Sequence, residues 1–297
     1  MMDSSRFRGT TVALITPFQN NGNIDETGYK NLLDWQIQEG TDVILTCGTT
    51  GESATLSHEE HEKVIEITID HVNGRVPVLC GTGSNSTSEA ISLTQFAEKA
   101  GTDAILSVGP YYNKPPQEGF YQHFKAIAES VNLPIIIYNV PGRTGSNISA
   151  ETTLRLAGIP NIIGVKEASG NISQIMTIIK DRPEGFLVLS GDDSITLPML
   201  SFGGDGVISV VANQAPAMLH EMVHSTFAGN WDRARELHNI LLPLMEFNFV
   251  ESNPIPVKTA VALMGKIEDN FRLPLVKMTK ANKQKMKDML IELGLVK

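Results

Sequence analysis

Lys166 ends a short run of apolar residues, 162–166, in which a charged side chain is costly to bury. Removal from water disfavours the ammonium form, so a buried lysine can keep a neutral amine that attacks a carbonyl carbon. An alternative is that the amine pairs with a neighbouring carboxylate such as Glu167, since structural ion pairs also bury lysines. Taken alone, the residue types leave both interpretations open.

Two other groups could assist carbonyl chemistry. Tyr138 ends the preceding apolar run, and its phenol could carry protons for an imine, although a buried tyrosine more commonly hydrogen-bonds to backbone. Residues 48–52, Gly-Thr-Thr-Gly-Glu, predict a tight loop whose N–H groups converge on an anion. The lack of a following P-loop lysine favours a carboxylate over a phosphate, but an ordinary turn would explain the glycines equally well.

These groups need a scaffold, and the chain shows a regular one. Eight short runs rich in Val, Ile and Leu alternate with longer segments of helical periodicity, which is the pattern of strand–helix units and a parallel sheet. Eight such units predict a (β/α)8 TIM barrel, in which active sites lie at the carboxyl ends of the strands. The predicted strands are residues 11–16, 43–46, 76–80, 104–108, 135–138, 162–166, 187–190 and 207–210.

The strand pattern stops after the eighth run. Helical periodicity then predicts three further helices, at residues 231–247, 253–264 and 277–293. We therefore expect a catalytic barrel at residues 1–228 and a C-terminal helical bundle at residues 229–297.

Composition and charge narrow the classes of function. The 297 residues are 41% hydrophobic and 19% charged, which suits a packed core and excludes a disordered chain. A formal net charge of -9 offers no basic surface for a phosphate backbone, so we expect small-molecule partners and no nucleic acid. No run is long enough for a membrane span, and residues 1–10 lack the apolar stretch of a signal peptide. The two cysteines, Cys47 and Cys80, cannot form a disulfide framework, so we expect a cytoplasmic protein.

Four segments at the predicted strand ends together resemble the dihydrodipicolinate synthase family, of the pyruvate-dependent class I aldolases in the N-acetylneuraminate lyase superfamily. They are residues 48–56 (GTTGESATL), 109–115 (GPYYNKP), 138–145 (YNVPGRTG) and 165–170 (VKEASG). The resemblance implies a lyase that condenses pyruvate with L-aspartate 4-semialdehyde in the diaminopimelate route to lysine. It also implies that no metal or organic cofactor is needed, since the electron sink is a covalent imine with pyruvate.

The resemblance assigns a role to each matching residue. Lys166 would form the imine, Tyr138 would donate and accept its proton, and Thr49 would extend a proton relay. The relay would be completed by Tyr112 from a neighbouring subunit, which implies a homo-oligomer and favours a tetramer. The residues implied to hold the carboxylates of pyruvate and of the aldehyde are Thr50, Gly191, Ile208 and Arg143.

A second set of residues matches the site at which feedback-sensitive members of the family bind lysine: Ser53, Ala54, His58, His61, Asn85, Glu89 and Tyr111. Glu89 would take the ammonium group and Tyr111 would help to bind the carboxylate. An alternative is that His58 and His61 simply face solvent in the first turn of a helix. Their spacing of three does not match the spacing of four that zinc helices use, so no metal site is predicted.

Two rival functions share part of this residue set. A sister pyruvate lyase, such as an N-acetylneuraminate lyase or a 2-keto-3-deoxy sugar acid aldolase, would also use Lys166 and Tyr138 but should lack Arg143. A non-catalytic barrel that binds small molecules would not need the complete set of catalytic residues. Residues 202–206 are interpreted as a turn that lets the backbone approach pyruvate, and Asp192 and Asp193 either as a second acid or as helix caps.

Overall fold

The computed structural model describes residues 4–297, in which eight parallel strands close into a barrel in the order of the sequence. The predicted (β/α)8 barrel with a C-terminal helical extension is confirmed. The strands are β1 Gly9–Ala13, β2 Val43–Thr46, β3 Val78–Gly81, β4 Ala104–Val108, β5 Ile135–Asn139, β6 Ile162–Glu167, β7 Leu187–Ser190 and β8 Gly206–Ser209.

Helices follow the strands and cover the outside of the barrel, and several begin at caps that the sequence provides. Ser57 and Glu60 form a capping box, in which each side chain accepts from the backbone N–H of the other residue. Within residues 4–297 the α-helices are α1 Glu26–Gln38, α2 His58–Val72, α3 Thr87–Ala100, α4 Gln117–Glu129, α5 Pro141–Thr144, α6 Ala150–Leu156, α7 Ile172–Asp181, α8 Thr196–Ser201, α9 Pro216–Phe227, α10 Trp231–Phe247, α11 Ile255–Leu263 and α12 Lys280–Glu292.

The strands are buried on both faces, which explains their nearly continuous apolar sequences. One set of side chains fills the barrel interior and includes Leu45, Leu79, Leu106, Ile136, Ile163, Leu189 and Ile208. The other set packs between the strands and the helices and includes Ile44, Val64, Ile105, Phe124, Ile137, Val165, Val188 and Val207. The interior set closes the barrel as a packed core, so an open cavity is confined to its ends.

The amino end of the barrel corrects one prediction. Residues 202–205 precede β8 and Gly206 begins it, so they lie at the end of the barrel away from the predicted site, and their interpretation as a turn near pyruvate is wrong. Gly206 instead packs against β1, where a Cβ atom would fall 2.1 Å from the carbonyl oxygen of Gly9. The glycine is therefore required for close approach of the first and last strands.

The C-terminal segment consists of α10, α11 and α12, in agreement with the three predicted helices. α10 packs against α9, and the segment around α11 reaches back to the carboxyl end of the barrel. The unit boundary between residues 228 and 229 stays a prediction. Within the described residues, every helix is too short or too polar to cross a membrane. Residues 1–3 of the N-terminal segment considered above lie outside the described residues.

Candidate active site

A cavity of about 200 Å³ opens at the carboxyl ends of the strands. Six of the eight residues that the resemblance assigned to catalysis and substrate binding line it: Thr49, Thr50, Tyr138, Arg143, Lys166 and Gly191. They come from four different strand ends and the loops that follow, as expected for a barrel of this type. Most of the remaining lining residues are small or apolar, so a small anion attracted by Arg143 would lie beside a hydrocarbon surface.

Lys166 lies near the end of β6, and only 6% of its surface is exposed. The register pairs it with Tyr138 on β5, and its Nζ atom lies 4.3 Å from the centre of the Tyr138 ring. Glu167 lies on the opposite face of β6 and accepts hydrogen bonds from Asn139 and Gln174. The alternative interpretation, an ion pair between Lys166 and Glu167, is therefore wrong.

The surroundings of Lys166 favour its neutral form. Burial lowers its pKa to about 7, while the negative charge of Asp193 acts in the opposite direction and the positive charge of Arg143 lowers it further. Burial also raises the pKa of Tyr138 to about 12, so the phenol keeps its proton. At neutral pH the site therefore combines a substantial fraction of free amine with a protonated phenol.

The threonine loop, residues 48–52, connects β2 to the turn Ser53–Thr55 and brings two hydroxyl groups to the cavity. Thr49 is exposed, whereas Thr50 is buried and its Oγ1 atom accepts a hydrogen bond from Nδ2 of Asn253 at 3.1 Å. The backbone turns sharply here, because Glu52 has a φ of 54°, in the left-handed region. The loop thus offers one hydroxyl to solvent and fixes the other.

Gly191 and Arg143 both line the cavity. A Cβ atom on Gly191 would lie 3.0 Å from Cε of Lys166, so a larger residue would displace the lysine. Arg143 is exposed at the mouth, and its Nη2 atom donates to the carbonyl oxygen of Asn253 at 3.4 Å. A second anion entering through the mouth would therefore meet a guanidinium group.

Two predicted residues do not line this cavity. The side chain of Ile208 belongs to the barrel interior, and Val210 lines the cavity in its place. Tyr112 is 90% exposed and is not part of the cavity wall of its own chain. The relay that the resemblance implies is thus only partly assembled within one chain, with Thr49 and Tyr138 at the cavity and Tyr112 outside it.

Asp193 has a larger role than the sequence indicated. It is buried, and its Oδ2 atom accepts the N–H groups of Val210 at 3.0 Å and Val211 at 2.8 Å, which fixes the backbone after β8. Burial raises its pKa to about 6. The adjacent Asp192 is a helix cap, since its side chain accepts from the N–H of Ser194. Asp192 is therefore a helix cap, whereas the role of a second acid stays a prediction for Asp193.

The match that assigns the chain to a family spans nearly all of its residues. A model of the dihydrodipicolinate synthetase family matches residues 6–293. The chain belongs to this family. The resemblance inferred from four short segments is thereby confirmed.

Relatives of known name cover nearly all of the chain. The 4-hydroxy-tetrahydrodipicolinate synthase of Syntrophus aciditrophicus is 56% identical over 290 residues, which are 98% of this chain and 99% of that protein. The crystal structure of the chloride-inhibited dihydrodipicolinate synthase from Acinetobacter baumannii complexed with pyruvate has a TM-score of 0.95 and 45% identity, and covers 97% of this chain and 99% of its own. The synthase from Cyanidioschyzon merolae with lysine bound has a TM-score of 0.96 and 41% identity, and covers 98% of this chain and 99% of its own.

A second cavity, of about 390 Å³, adjoins the first in this family member. Thr49, His61 and Arg143 belong to the walls of both cavities. Six of the seven residues predicted to bind lysine line the second cavity: Ser53, Ala54, His58, His61, Glu89 and Tyr111. The seventh, Asn85, does not line it but anchors the tyrosine loop, because its carbonyl oxygen accepts from Nδ2 of Asn113 at 2.9 Å.

Acidic and basic groups meet in this second cavity. Oε1 of Glu89 lies 2.8 Å from Nε2 of His58, and the hydroxyl of Ser84 donates to the same carboxylate. The hydrogen bond from Ser84, followed by that from His58, lowers the pKa of Glu89. His61 is buried against the carbonyl oxygen of Gly81, so the solvent-facing alternative is wrong for His61, although it describes the exposed His58.

The only group of histidine and acidic side chains close enough to share a cation among residues 4–297 is Asp42, His220 and His224. It lies at the amino end of β2, on the far side of the barrel from the cavities. The imidazole rings stack with centres 4.0 Å apart and planes inclined by 27°, and Nε2 of His224 lies 2.9 Å from Oδ2 of Asp42. The expectation of no metal site stays a prediction.

Sequence reasoning gave no role to three residues that shape the active site: Glu52, Asn253 and Lys258. Lys258 lies in the otherwise apolar helix α11, which is the same signal that identified Lys166 in β6. Cys47 lines the cavity and Cys80 does not, and burial raises the pKa of both thiols, which keeps them protonated.

Proposed function

We propose that the protein condenses pyruvate with L-aspartate 4-semialdehyde, as a carbon–carbon bond-forming lyase of the class I aldolase type in the diaminopimelate route to lysine. Membership of the family and the shared name of its full-length relatives support the reaction. The observation that carries the mechanism is a buried Lys166 amine, its pKa lowered to about 7, beside Tyr138 in a strand-end cavity. A lysine in these surroundings is an activated nucleophile.

The first half of the reaction forms an imine. The free amine of Lys166 attacks the ketone carbon of pyruvate, the Tyr138 phenol gives a proton to the leaving oxygen, and water departs as the carbon–nitrogen double bond forms. The phenolate then receives a proton that Thr49 and a tyrosine relay return to it. The iminium draws electrons from the methyl group, whose proton passes to the Tyr138 oxygen while Tyr138 returns its own proton along the relay, and an enamine forms.

The second half forms the carbon–carbon bond. The enamine carbon attacks the aldehyde carbon, and the aldehyde oxygen gains a proton as the iminium is restored. The substrate amine then attacks the iminium carbon, which closes the ring and releases Lys166 as a free amine. The electron sink throughout is the imine, so we propose that the reaction needs no metal or organic cofactor.

Two carboxylates must be held during these steps. We assign the pyruvate carboxylate to the Thr50 hydroxyl and to backbone near Gly191 and Ile208, beside the lysine. The carboxylate of the aldehyde is assigned to Arg143, which stands at the mouth where the second substrate enters. Binding both ends of the reacting pair supplies the orientation that a condensation requires.

The relay implies a partner subunit. Tyr112 is 90% exposed and has a φ of 72°, so the loop presents a large aromatic side chain to solvent in a single chain. Such a side chain fits the proposal that Tyr112 enters the cavity of a second copy, in a homo-oligomer that we propose to be a tetramer. We also propose a cytoplasmic location, which suits two buried free thiols.

The second cavity fits feedback by the end product. It combines a carboxylate, Glu89, with polar groups that include Tyr111, and it shares Thr49 and Arg143 with the active site. We therefore assign it to L-lysine as an inhibitor. Turnover is expected to fall with added lysine in the wild type and to resist lysine in Glu89→Gln; unchanged turnover of the wild type at millimolar lysine would remove this assignment.

The decisive test of the reaction combines two measurements on the wild type. Turnover of pyruvate with L-aspartate 4-semialdehyde is coupled to purified dihydrodipicolinate reductase and followed by oxidation of the nicotinamide cofactor. Pyruvate is separately trapped on the protein with borohydride, and the modified residue is identified by mass spectrometry. Turnover together with an adduct on Lys166 supports the proposal, whereas an adduct without turnover would move the assignment to a sister pyruvate lyase.

A further inference from the structure

A second buried lysine, Lys258, lies outside the catalytic residues but contacts the threonine loop. Its side chain and that of Glu52 are both 0% exposed, and Nζ of Lys258 donates a hydrogen bond to Oε1 of Glu52. The Nζ atom also lies 4.3 Å from the ring centre of Phe18 and 5.0 Å from that of Phe271. The pair is therefore shielded from water, and aromatic rings contribute to the enclosure of the ammonium group.

Glu52 is the last residue of the loop that carries Thr49 and Thr50. Its left-handed backbone, with a φ of 54°, is unfavourable for a side chain that has a Cβ atom, so surrounding contacts must hold it. The N–H of Glu52 donates to the carbonyl oxygen of Thr49, which links the two ends of the turn. A shift of the Glu52 side chain would therefore also shift Thr49 and Thr50.

The rest of the C-terminal segment reinforces this contact. Oε2 of Glu52 accepts from the backbone N–H of Arg272 at 3.4 Å, and the Arg272 guanidinium pairs with Glu60 at 2.5 Å. Asn253 donates to the hydroxyl of Thr50 and accepts from Arg143. Residues 253–272 therefore contact the threonine loop, its flanking helix and the arginine at the mouth.

We propose that Glu52 and Lys258 are positioning residues, whose buried ion pair joins the C-terminal segment to the threonine loop and holds Thr49 and Thr50 at the catalytic lysine. The inference rests on the proposed function for the roles of the two threonines. Neither Glu52 nor Lys258 lines the cavity, so both act through the loop and neither touches substrate.

Physical chemistry separates this role from simple stabilisation. A buried ion pair adds little net stability compared with apolar groups of the same size, because removal of both charges from water offsets their attraction. Its geometry is nevertheless specific, since one carboxylate oxygen must meet one ammonium group. Neutral replacements that fill the same space should thus keep the protein folded but leave the loop less well fixed.

The test uses three variants of the full-length protein: Lys258→Met, Glu52→Gln and the double variant that carries both changes. The matched control is Arg233→Met, which removes a cation from a C-terminal ion pair with Glu221 at the surface of α9 and α10. Each protein is compared by thermal unfolding, by hydrogen exchange of the amides in residues 48–55, and by kcat and KM for pyruvate.

We expect the double variant to unfold cooperatively near the wild-type temperature, with faster exchange in residues 48–55. Its kcat should fall by roughly 10- to 100-fold and its KM for pyruvate should rise, as expected for catalytic groups displaced by about 1 Å. Glu52→Gln keeps the shape and one acceptor oxygen, so it should retain more activity than the double variant. Arg233→Met should match the wild type in all measurements.

A double variant with wild-type kcat, KM and loop exchange would overturn the proposal and leave the pair a purely structural role. If Lys258→Met alone does not fold, the comparison of the double variant with Glu52→Gln still decides. Failure of the proposed function is distinguishable, because loop exchange does not depend on any reaction. Slower trapping of pyruvate by borohydride in the double variant supplies a chemical readout that does not require the aldehyde.

Discussion

Lys166 and Lys258 are both buried, yet their surroundings prepare them for opposite tasks. Lys166 lies beside Tyr138 at an open cavity, and in the described part of the chain no carboxylate pairs with it directly. Lys258 is buried beside aromatic rings and bonded to Glu52. Burial lowers the pKa of both lysines. In Lys166 only the charge of Asp193 opposes this shift, whereas in Lys258 both the charge and the hydrogen bond of Glu52 oppose it.

The difference teaches that the partner, more than the burial, decides what a buried lysine does. Where no anion accepts a hydrogen bond from the ammonium group, the proton is held weakly and the amine becomes a nucleophile. With an adjacent anion, the proton stays in a hydrogen bond that fixes two segments of chain to each other. Both kinds of buried lysine occur around one active site. Lys166 provides the reacting atom, and Lys258 supports the threonine loop from outside the cavity.

The largest expected effect comes from Lys166→Met. The variant removes the nucleophile, so the condensation should slow by at least about 10⁴-fold and no borohydride adduct with pyruvate should form. Its free energy of unfolding should equal or exceed that of the wild type at neutral pH, because an unpaired buried amine is replaced by an apolar side chain of similar length. Coupled turnover, adduct mass and urea unfolding measure these three quantities.

An adduct on another lysine of Lys166→Met would contradict the comparison, since it would show that burial without an anion is not the deciding feature. Lys63→Met is a suitable control, because Lys63 is an exposed lysine paired with Glu26 at 2.5 Å. That variant should keep both the adduct and the turnover.

Lys258→Met, unlike Lys166→Met, should lower the free energy of unfolding. The substitution leaves the Glu52 carboxylate buried without its cation, so the free energy of unfolding should fall by about 3–5 kcal/mol. Adding Glu52→Gln should recover most of the loss, because the uncompensated charge is then gone. Urea unfolding of the single and double variants measures this recovery, and a double variant less stable than Lys258→Met would contradict it.

The pH dependence sharpens the comparison from the side of Lys166. Because the pKa of Lys166 is about 7, formation of the pyruvate imine should accelerate from about pH 5.5 to about pH 8.5, with a midpoint near 7. Single-turnover formation of the adduct, counted by mass spectrometry at each pH, gives this midpoint. A midpoint above 9 would mean that the amine is charged at neutral pH, as in an ordinary exposed lysine.

Stability should depend on pH with a definite sign. The pKa of Lys166 falls from an ordinary 10.5 to about 7 on folding, so the unfolded chain binds more protons between these two values. The wild type should therefore gain stability relative to Lys166→Met as the pH rises from 7 towards 10.5. A constant difference between the two proteins over this range would contradict the lowered pKa.

Much of the active site could be predicted because it depends on local sequence. Strand periodicity located all eight strands to within a few residues, and the rule for barrels placed Lys166, Tyr138 and the threonine loop at one end. The glycine-rich sequence of residues 202–206, interpreted without that rule, assigns them to the pyruvate site, and this prediction is wrong. Since residues 202–205 precede β8 and Gly206 begins it, their place in the order of elements assigns them to the amino end, where Gly206 packs against Gly9.

The support of the site could not be predicted in the same way. Glu52 and Lys258 are 206 residues apart in sequence, so no periodicity connects them. Lys258 lies in an apolar helix, as Lys166 lies in an apolar strand. A lysine within an apolar segment does not by itself indicate whether a carboxylate contacts it in the folded protein. His61 likewise needed the tertiary structure, because the contact with Gly81 decides that it is buried.

The smallest expected effect comes from Asp193→Asn. This substitution removes the carboxylate that acts on Lys166, so the surroundings of Lys166 then differ even more from those of Lys258, which keeps its carboxylate partner. The negative charge of Asp193 raises the pKa of Lys166, and it is present at the midpoint because the pKa of Asp193 is about 6. The variant should thus shift the midpoint of imine formation to lower pH. An asparagine can still accept an N–H bond from Val210 or Val211, so the backbone after β8 should keep its place.

Asp192→Asn is the matched control, since it removes a charge one residue away that acts on Tyr138 instead of on Lys166. Its midpoint should stay at the wild-type value. If Asp193→Asn moved the midpoint upward or left it unchanged, the weak anion near Lys166 would have no influence on its proton. That result would show that a nearby carboxylate does not change the pKa of a buried lysine. The difference between Lys166 and Lys258 would then have to come from the aromatic rings around Lys258 alone.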